Sequence, residues 1–165
     1  PNLGEFLDSL TLDTRIQDRS GSLLLNGAPL PQEILRSERI NANVSSFAAQ
    51  PAVRKKLFDY QRSQTLVAQE NGFAGLVMEG RDIGSVIFPN AQVRVFLHAD
   101  SEVRSSRRAA QGENDAIEAR DKTDSTRATA PLTCPDGATS IDTGSHTVEE
   151  VVELISQLVQ STQVP

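Results

Sequence analysis

The sequence predicts an α/β protein in which a small α+β lobe precedes a parallel core sheet, with a polar arm inserted into that core. Three observations predict it. Residues 1 to 60 place short strand-like runs beside helical patterns, with Pro29, Pro31 and Pro51 as breakers. From Gly75 onward the texture changes to short apolar runs that read as buried parallel strands, separated by helical stretches. Between the second and third of these runs lies Arg107 to Arg127, which is almost entirely polar.

Leu3 to Leu10 is a short apolar-periodic stretch. Leu12 to Ile16 and Ser22 to Leu25 read as strands joined by the polar turn Asp18 to Gly21, a hairpin pattern. The run Glu33 to Phe47 follows the first two prolines. After Pro51, Val53, Leu57, Tyr60 and Leu66 recur at helical spacing, which predicts a long helix from Ala52 to about Glu70. The predicted core strands are Leu76-Val77-Met78, Val93 to Leu97 and Thr139 to Asp142. Ser101 to Ala110 reads as a helix capped by Ser101 or Asp100, and Thr147 to Val159 as an amphipathic helix capped by Ser145 or Thr147. The polar tail Ser161 to Pro165 closes the sequence.

With 165 residues and 38% hydrophobic content the chain has enough apolar material for one core. A net charge of −6 disfavours a broad footprint for nucleic acid or an anionic membrane, so an anionic ligand must be met locally. Cys134 is the one cysteine, which excludes an internal disulfide framework and a multi-cysteine zinc site, and the isolated His98 and His146 do not supply a metal set. No apolar run approaches the roughly 20 residues of a membrane span. The opening Pro1-Asn-Leu-Gly-Glu has no signal-peptide pattern, and a reducing cytoplasmic setting is expected.

Several groups carry candidate chemistry. Gly80-Arg81-Asp82 follows the apolar run at Leu76, at a strand end where open α/β sheets collect ligands, and its glycines permit close backbone approach. The same residues also fit an Arg-Asp surface pair in a turn. Arg120, Asp124 and Arg127 are spaced to share one helix face, where arginine forks would clamp phosphate and the carboxylate would hold ribose hydroxyls. An intrahelical salt-bridge row fits that spacing too. The polar arm reads either as a cover over an anionic ligand or as a solvated surface helix. Ser45 and Arg54 flank the Pro51 turn, where a helix cap and a surface charge are the ordinary readings; Cys134 and His98 carry no assigned chemistry.

Gly80-Arg-Asp-Ile-Gly-Ser-Val-Ile-Phe-Pro-Asn-Ala91, Val93-Arg-Val-Phe-Leu-His-Ala99 and Arg120-Asp-Lys-Thr-Asp-Ser-Thr-Arg-Ala-Thr-Ala-Pro-Leu132 together resemble the bacterial-type cytidylate kinase family. Upstream, Leu24-Leu-Asn-Gly, Ile34-Leu-Arg-Ser and Ala42 to Arg54 resemble the insert of its long members. The resemblance implies a P-loop nucleoside monophosphate kinase fold. It divides the chain into an acceptor-binding region with the insert at 1–60, core at 61–106, a lid at 107–128 and core again at 129–165. It implies phosphoryl transfer from ATP, with Mg2+, to CMP or dCMP in a cytoplasmic monomer that takes no nucleic acid or membrane partner. Ser45, Arg54 and Asp82 fall on family positions that recognise the cytosine ring, with Arg127 close by. Arg81 falls on the arginine that holds the acceptor phosphate, and Arg120 and Asp124 on the pair at the sugar hydroxyls. Arg81, Arg120 and Arg127 are the implied catalytic residues, and Arg107 and Arg108 would face the phosphate transferred from ATP. No metal ligand is expected among these residues.

The sequence departs from the family pattern in two places. No Gly-x-x-x-x-Gly-Lys-Ser/Thr loop occurs in it, although the family cradles ATP phosphates with one. The lid is shorter than the pattern, with the join near Gly112-Glu113-Asn114 and a clipped helix expected at Asn114 to Arg120. One reading makes these residues the ordered or expressed portion of a complete kinase. The other makes them a non-catalytic nucleotide-binding module or a degenerate relative. A core without its first strand would expose apolar sheet surface, which favours the former.

Overall fold

A computed structural model describes residues 2–110, 117–126 and 131–162. The chain divides into two units, Pro1–Glu79 and Gly80–Pro165. In the first, Asn2 opens helix α1 (Leu3–Ser9): its side chain accepts from the Glu5 amide while the Glu5 carboxylate accepts from the Asn2 amide, so two otherwise orphan donors are satisfied reciprocally. The expected hairpin forms as β1 (Leu12–Gln17) against β2 (Ser20–Leu25), in antiparallel register from Leu12 with Leu25 to Gln17 with Ser20. Its turn residues, Asp18 and Arg19, have φ of 48° and 66°, the left-handed conformation whose twist suits a two-residue hairpin loop. A second such turn at Asn26-Gly27 leads to the short edge strand β3 (Ala28–Pro29), where a proline is tolerated.

The run Glu33 to Phe47 forms two helices, α2 (Gln32–Leu35) and α3 (Glu38–Ala48). The break falls at Ser37, whose hydroxyl donates to the Ile34 carbonyl and so competes with continued helix. Pro51 then occupies the first position of α4 (Pro51–Glu70), where its missing amide costs nothing. Gly72, at φ 72°, ends that helix, with Phe73 N–H returning to the Ala68 carbonyl and Gly72 N–H to that of Gln69. The half-buried Thr14 hydroxyl fastens the hairpin to α4 through Tyr60 Oη at 2.9 Å and Gln64 Oε1 at 2.8 Å.

One expected strand does not form. Leu76-Val77-Met78 joins no ladder among the described residues, and Val77 is 94% exposed. An apolar run becomes a strand only when a neighbour accepts its backbone bonds, and β4 and β5 satisfy each other elsewhere.

In the second unit a π-helical turn at Ile83–Ile87 precedes β4 (Val95–His98), α5 (Ser101–Ala110), α6 (Ile117–Thr126), β5 (Thr139–Asp142) and α7 (Val148–Thr162). The strands β4 and β5 pair in parallel, from Val95 with Thr139 to His98 with Asp142, as the apolar runs predict. Ile87 (2% exposed) and Ile141 form the buried centre. Asp100 takes the cap position of α5, its carbonyl accepting from the Arg104 amide. Thr147 rather than Ser145 caps α7, exchanging hydrogen bonds with Glu150. The expected helix Asn114 to Arg120 instead runs on to Thr126; 114–116 and the Gly112 join lie outside the described residues. Among the described residues no helix is long and apolar enough to cross a membrane.

Candidate functional site

In the second unit, Arg81 and Asp82 lead into the π-helical turn. The Asp82 carbonyl accepts from the amides of Val86 and Ile87, which folds the chain back on itself just after Arg81. Gly80 leaves room here: a Cβ at that position would stand 2.8 Å from Ile83 Cγ1, so the Ile83 side chain would have to shift. The turn is braced from β4's side by Arg94, which donates to the Gly84 carbonyl at 3.4 Å and to the Asp136 carbonyl at 2.8 Å. Ser85 Oγ is buried with no hydrogen-bond partner among the described residues.

Asp121 and Asp124, spaced one turn apart, stand on the same face of α6. Arg81 Nη1 lies 2.5 Å from Asp121 Oδ1 and 3.0 Å from Asp124 Oδ2. Arg104 on α5 donates from Nη1 to the other Asp121 oxygen, and from Nε to the Ala99 carbonyl at 2.9 Å. Four charged side chains from three segments therefore meet beside the carboxyl end of β4, with their formal charges balanced. Asp124 is only 2% exposed, so its carboxylate needs the guanidinium it meets. Burial acts to raise the Asp121 pKa, but hydrogen bonds from Arg104 and Arg81, reinforced by their charges, outweigh it and hold that carboxyl below the usual range.

Asp124 and Arg81 are thus brought together, which an intrahelical salt-bridge row alone would not do. Arg120 lies on α6 one turn before Asp124, and Arg127 lies outside the described residues. Arg107, in the last turn of α5, donates to Thr143 Oγ1 at 3.1 Å and to its carbonyl at 2.6 Å, while Thr143 N–H returns to the His98 carbonyl at 2.7 Å. Arg108, beside it, also belongs to the last turn of α5. The carboxyl edge of β4 and β5 is therefore ringed by arginines, where parallel sheets collect anionic ligands. Asp121 and Arg104 did not figure among the expected site residues. The signal for Asp121 was its spacing from Asp124; for Arg104 no signal lies in sequence spacing.

In the first unit, Ser45 is half-buried on α3 and Arg54 belongs to the first turn of α4. Arg54 Nη1 donates back to the Ala48 carbonyl at 3.2 Å, and the Ser45 carbonyl accepts from the Ala49 amide. Both residues thus stand at the α3–α4 corner.

The family model for cytidylate kinase matches residues 3–161. The chain is 36% identical over 173 aligned positions to a cytidylate kinase of Limosilactobacillus reuteri (strain DSM 20016), covering 98% of this chain and 73% of that protein. It is 35% identical to a cytidylate kinase of Chloroherpeton thalassium (strain ATCC 35110 / GB-78), covering 93% and 68%. To one from Geobacillus sp. (strain WCH70) it is 38% identical, covering 93% and 72%. A match that spans both units, from α1 to the last turn of α7, accounts for the parallel strands and the arginine-ringed edge together: the chain belongs to the cytidylate kinase family, with its nucleoside monophosphate kinase fold.

Proposed function

We propose that this chain provides the acceptor side of phosphoryl transfer from ATP to CMP or dCMP, giving CDP or dCDP and ADP. A phosphate oxygen of the acceptor attacks the γ-phosphorus of ATP. The bond to the β–γ bridging oxygen breaks, and that oxygen leaves on ADP. Positioning and charge neutralisation carry such a reaction. The observation that carries the reading is Arg81, fixed at the entry of a glycine-bounded turn by two carboxylates on α6.

Arg81 holds the acceptor phosphate, with Arg120 and Arg127 neutralising charge as it transfers. Asp82, Ser45 and Arg54 recognise cytosine, whose exocyclic amine needs an acceptor and whose ring carbonyl needs a donor. Asp124 with Arg120 meets the sugar hydroxyls. Arg107 and Arg108 face the phosphates of ATP, supported by the position of α5's last turn near the strand ends. Mg2+ accompanies ATP as part of the donor. The arm over 107–128 acts as a lid that excludes water from the transfer. The chain acts as a monomer in a reducing cytoplasm, where an exposed thiol such as Cys134 stays reduced.

The test is calorimetric titration with CMP and, separately, ATP. Asp82→Ala is expected to weaken CMP binding by about 1.5–3 kcal/mol, the worth of a charge-assisted hydrogen bond, and to leave ATP binding in place. Equal losses for both nucleotides would sink the assignment of the base pocket.

A further inference from the structure

We infer that Asp121 is a positioning residue for the acceptor phosphate: held by Arg104, it aims the Arg81 guanidinium without consuming it. The inference rests on the reading of Arg81 as the arginine that meets the phosphate. Among the described residues every contact of Arg81 runs through Nη1, which serves both Asp121 Oδ1 and Asp124 Oδ2. A planar guanidinium gripped by one nitrogen from two sides has its plane set. Its Nη2 and Nε donors remain a fork for a ligand.

A carboxylate beside an arginine ordinarily takes two of its nitrogens at once, in the paired geometry that satisfies both partners. Were Asp121 to do so, a second Arg81 nitrogen would be spent on it and the fork left for a ligand would be lost. Arg104 prevents this by engaging the second Asp121 oxygen. Arg104 is itself tied through Nε to the Ala99 carbonyl, just past the end of β4. The order of contacts is therefore strand end, Arg104, Asp121, Arg81, with Asp124 closing on the same Arg81 nitrogen from the next turn of α6. Because Asp121 and Asp124 stand on α6, the orientation of Arg81 is also coupled to that helix. Asp121 meets no substrate in this arrangement; it acts through Arg81.

The experiment compares CMP with cytidine, which presents the same base and sugar without the phosphate, by calorimetric titration of the chain. Asp121→Ala is expected to weaken CMP binding about tenfold, within the range of coupled charged pairs, and to leave cytidine binding within about twofold. Arg104→Ala is expected to act in the same direction, and its effect to vanish in the Asp121→Ala background. Asp121→Asn keeps the side chain's size and one oxygen; it provides the same contrast in a fold that suffers less, with a smaller CMP-selective loss. Equal loss of both ligands, or loss of neither, in Asp121→Asn and Asp121→Ala overturns the inference. Arg81→Ala separates the two levels. If it weakens CMP alone while the Asp121 variants do not, the positioning role fails and the phosphate site stands. If Arg81→Ala treats CMP and cytidine alike, the phosphate site fails and the positioning role with it.

Discussion

In the first unit Thr14, Tyr60 and Gln64 meet through neutral hydrogen bonds, and Arg54 returns to a backbone carbonyl of its own helical corner. In the second unit Arg81, Asp121, Asp124 and Arg104 meet through charges drawn from three separate segments. The hydroxyl and amide side chains that fasten the hairpin to α4 carry no charge that acidification removes. The cluster is held by groups that depend on every member staying ionised. The phosphate site proposed here needs a guanidinium held in place before the ligand binds, and the two carboxylates hold it. The α3–α4 corner proposed to recognise the base instead offers hydrogen-bonding groups, with Arg54 Nη1 donating to the Ala48 carbonyl.

The largest effect expected from breaking this contrast is at Asp124. Its carboxylate is buried while Arg81 remains 30% exposed by its side chain, so Asp124→Ala leaves a guanidinium that water partly rescues. The expected cost is about 2–3 kcal/mol, below that of a fully buried pair, measured by denaturant unfolding. Gly80→Ala comes next, at about 1–3 kcal/mol for forcing a methyl against Ile83. It should also weaken CMP binding, because Arg81 follows directly. A loss of stability with unchanged CMP affinity would detach the turn from the site.

Tyr60→Phe sharpens the comparison from the other unit. It removes the hydroxyl contact with Thr14 at an expected cost of about 1 kcal/mol, and that cost should be the same at pH 7 and pH 4. Asp121 should behave differently. Its folded pKa is lowered, so its contribution is fully present above the unfolded carboxylate value of about 4 and is lost as the pH falls through the lower folded value. The stability difference between the chain and Asp121→Asn should therefore shrink on acidification below about pH 4; a difference that stays constant there would show that charge does not hold the cluster. The smallest effect expected is at Ser85, whose buried Oγ has no partner among the described residues. Ser85→Ala should be neutral or stabilise by up to about 1 kcal/mol.

What was legible in the sequence follows the range of the interactions. The hairpin, α4, α5 and the strand at Thr139 are declared by local periodicity and turn residues. The parallel partner of Thr139 was visible as an apolar run at Val93 to Leu97, although the strand begins at Val95. Leu76-Val77-Met78 shows the limit: its composition is that of a strand, but a ladder is a property of two segments. At the site, the glycine-bounded Arg81 and the helical placement of Asp124 were readable. Their ion pair was not, since Arg81 and Asp121 stand 40 residues apart and nothing in spacing joins them. The row Arg120, Asp124, Arg127 satisfies helical spacing without Asp121, so spacing does not single Asp121 out. The partner it shares with Asp124 appears only in three dimensions.

The central claim is that Arg81 receives the acceptor phosphate, and the phosphorus NMR resonance of CMP tests it most directly. Titration with the chain is expected to move that resonance from its free position, and titration with Arg81→Ala to leave it there at protein concentrations that still bind cytidine. The same shift with both proteins would contradict the account.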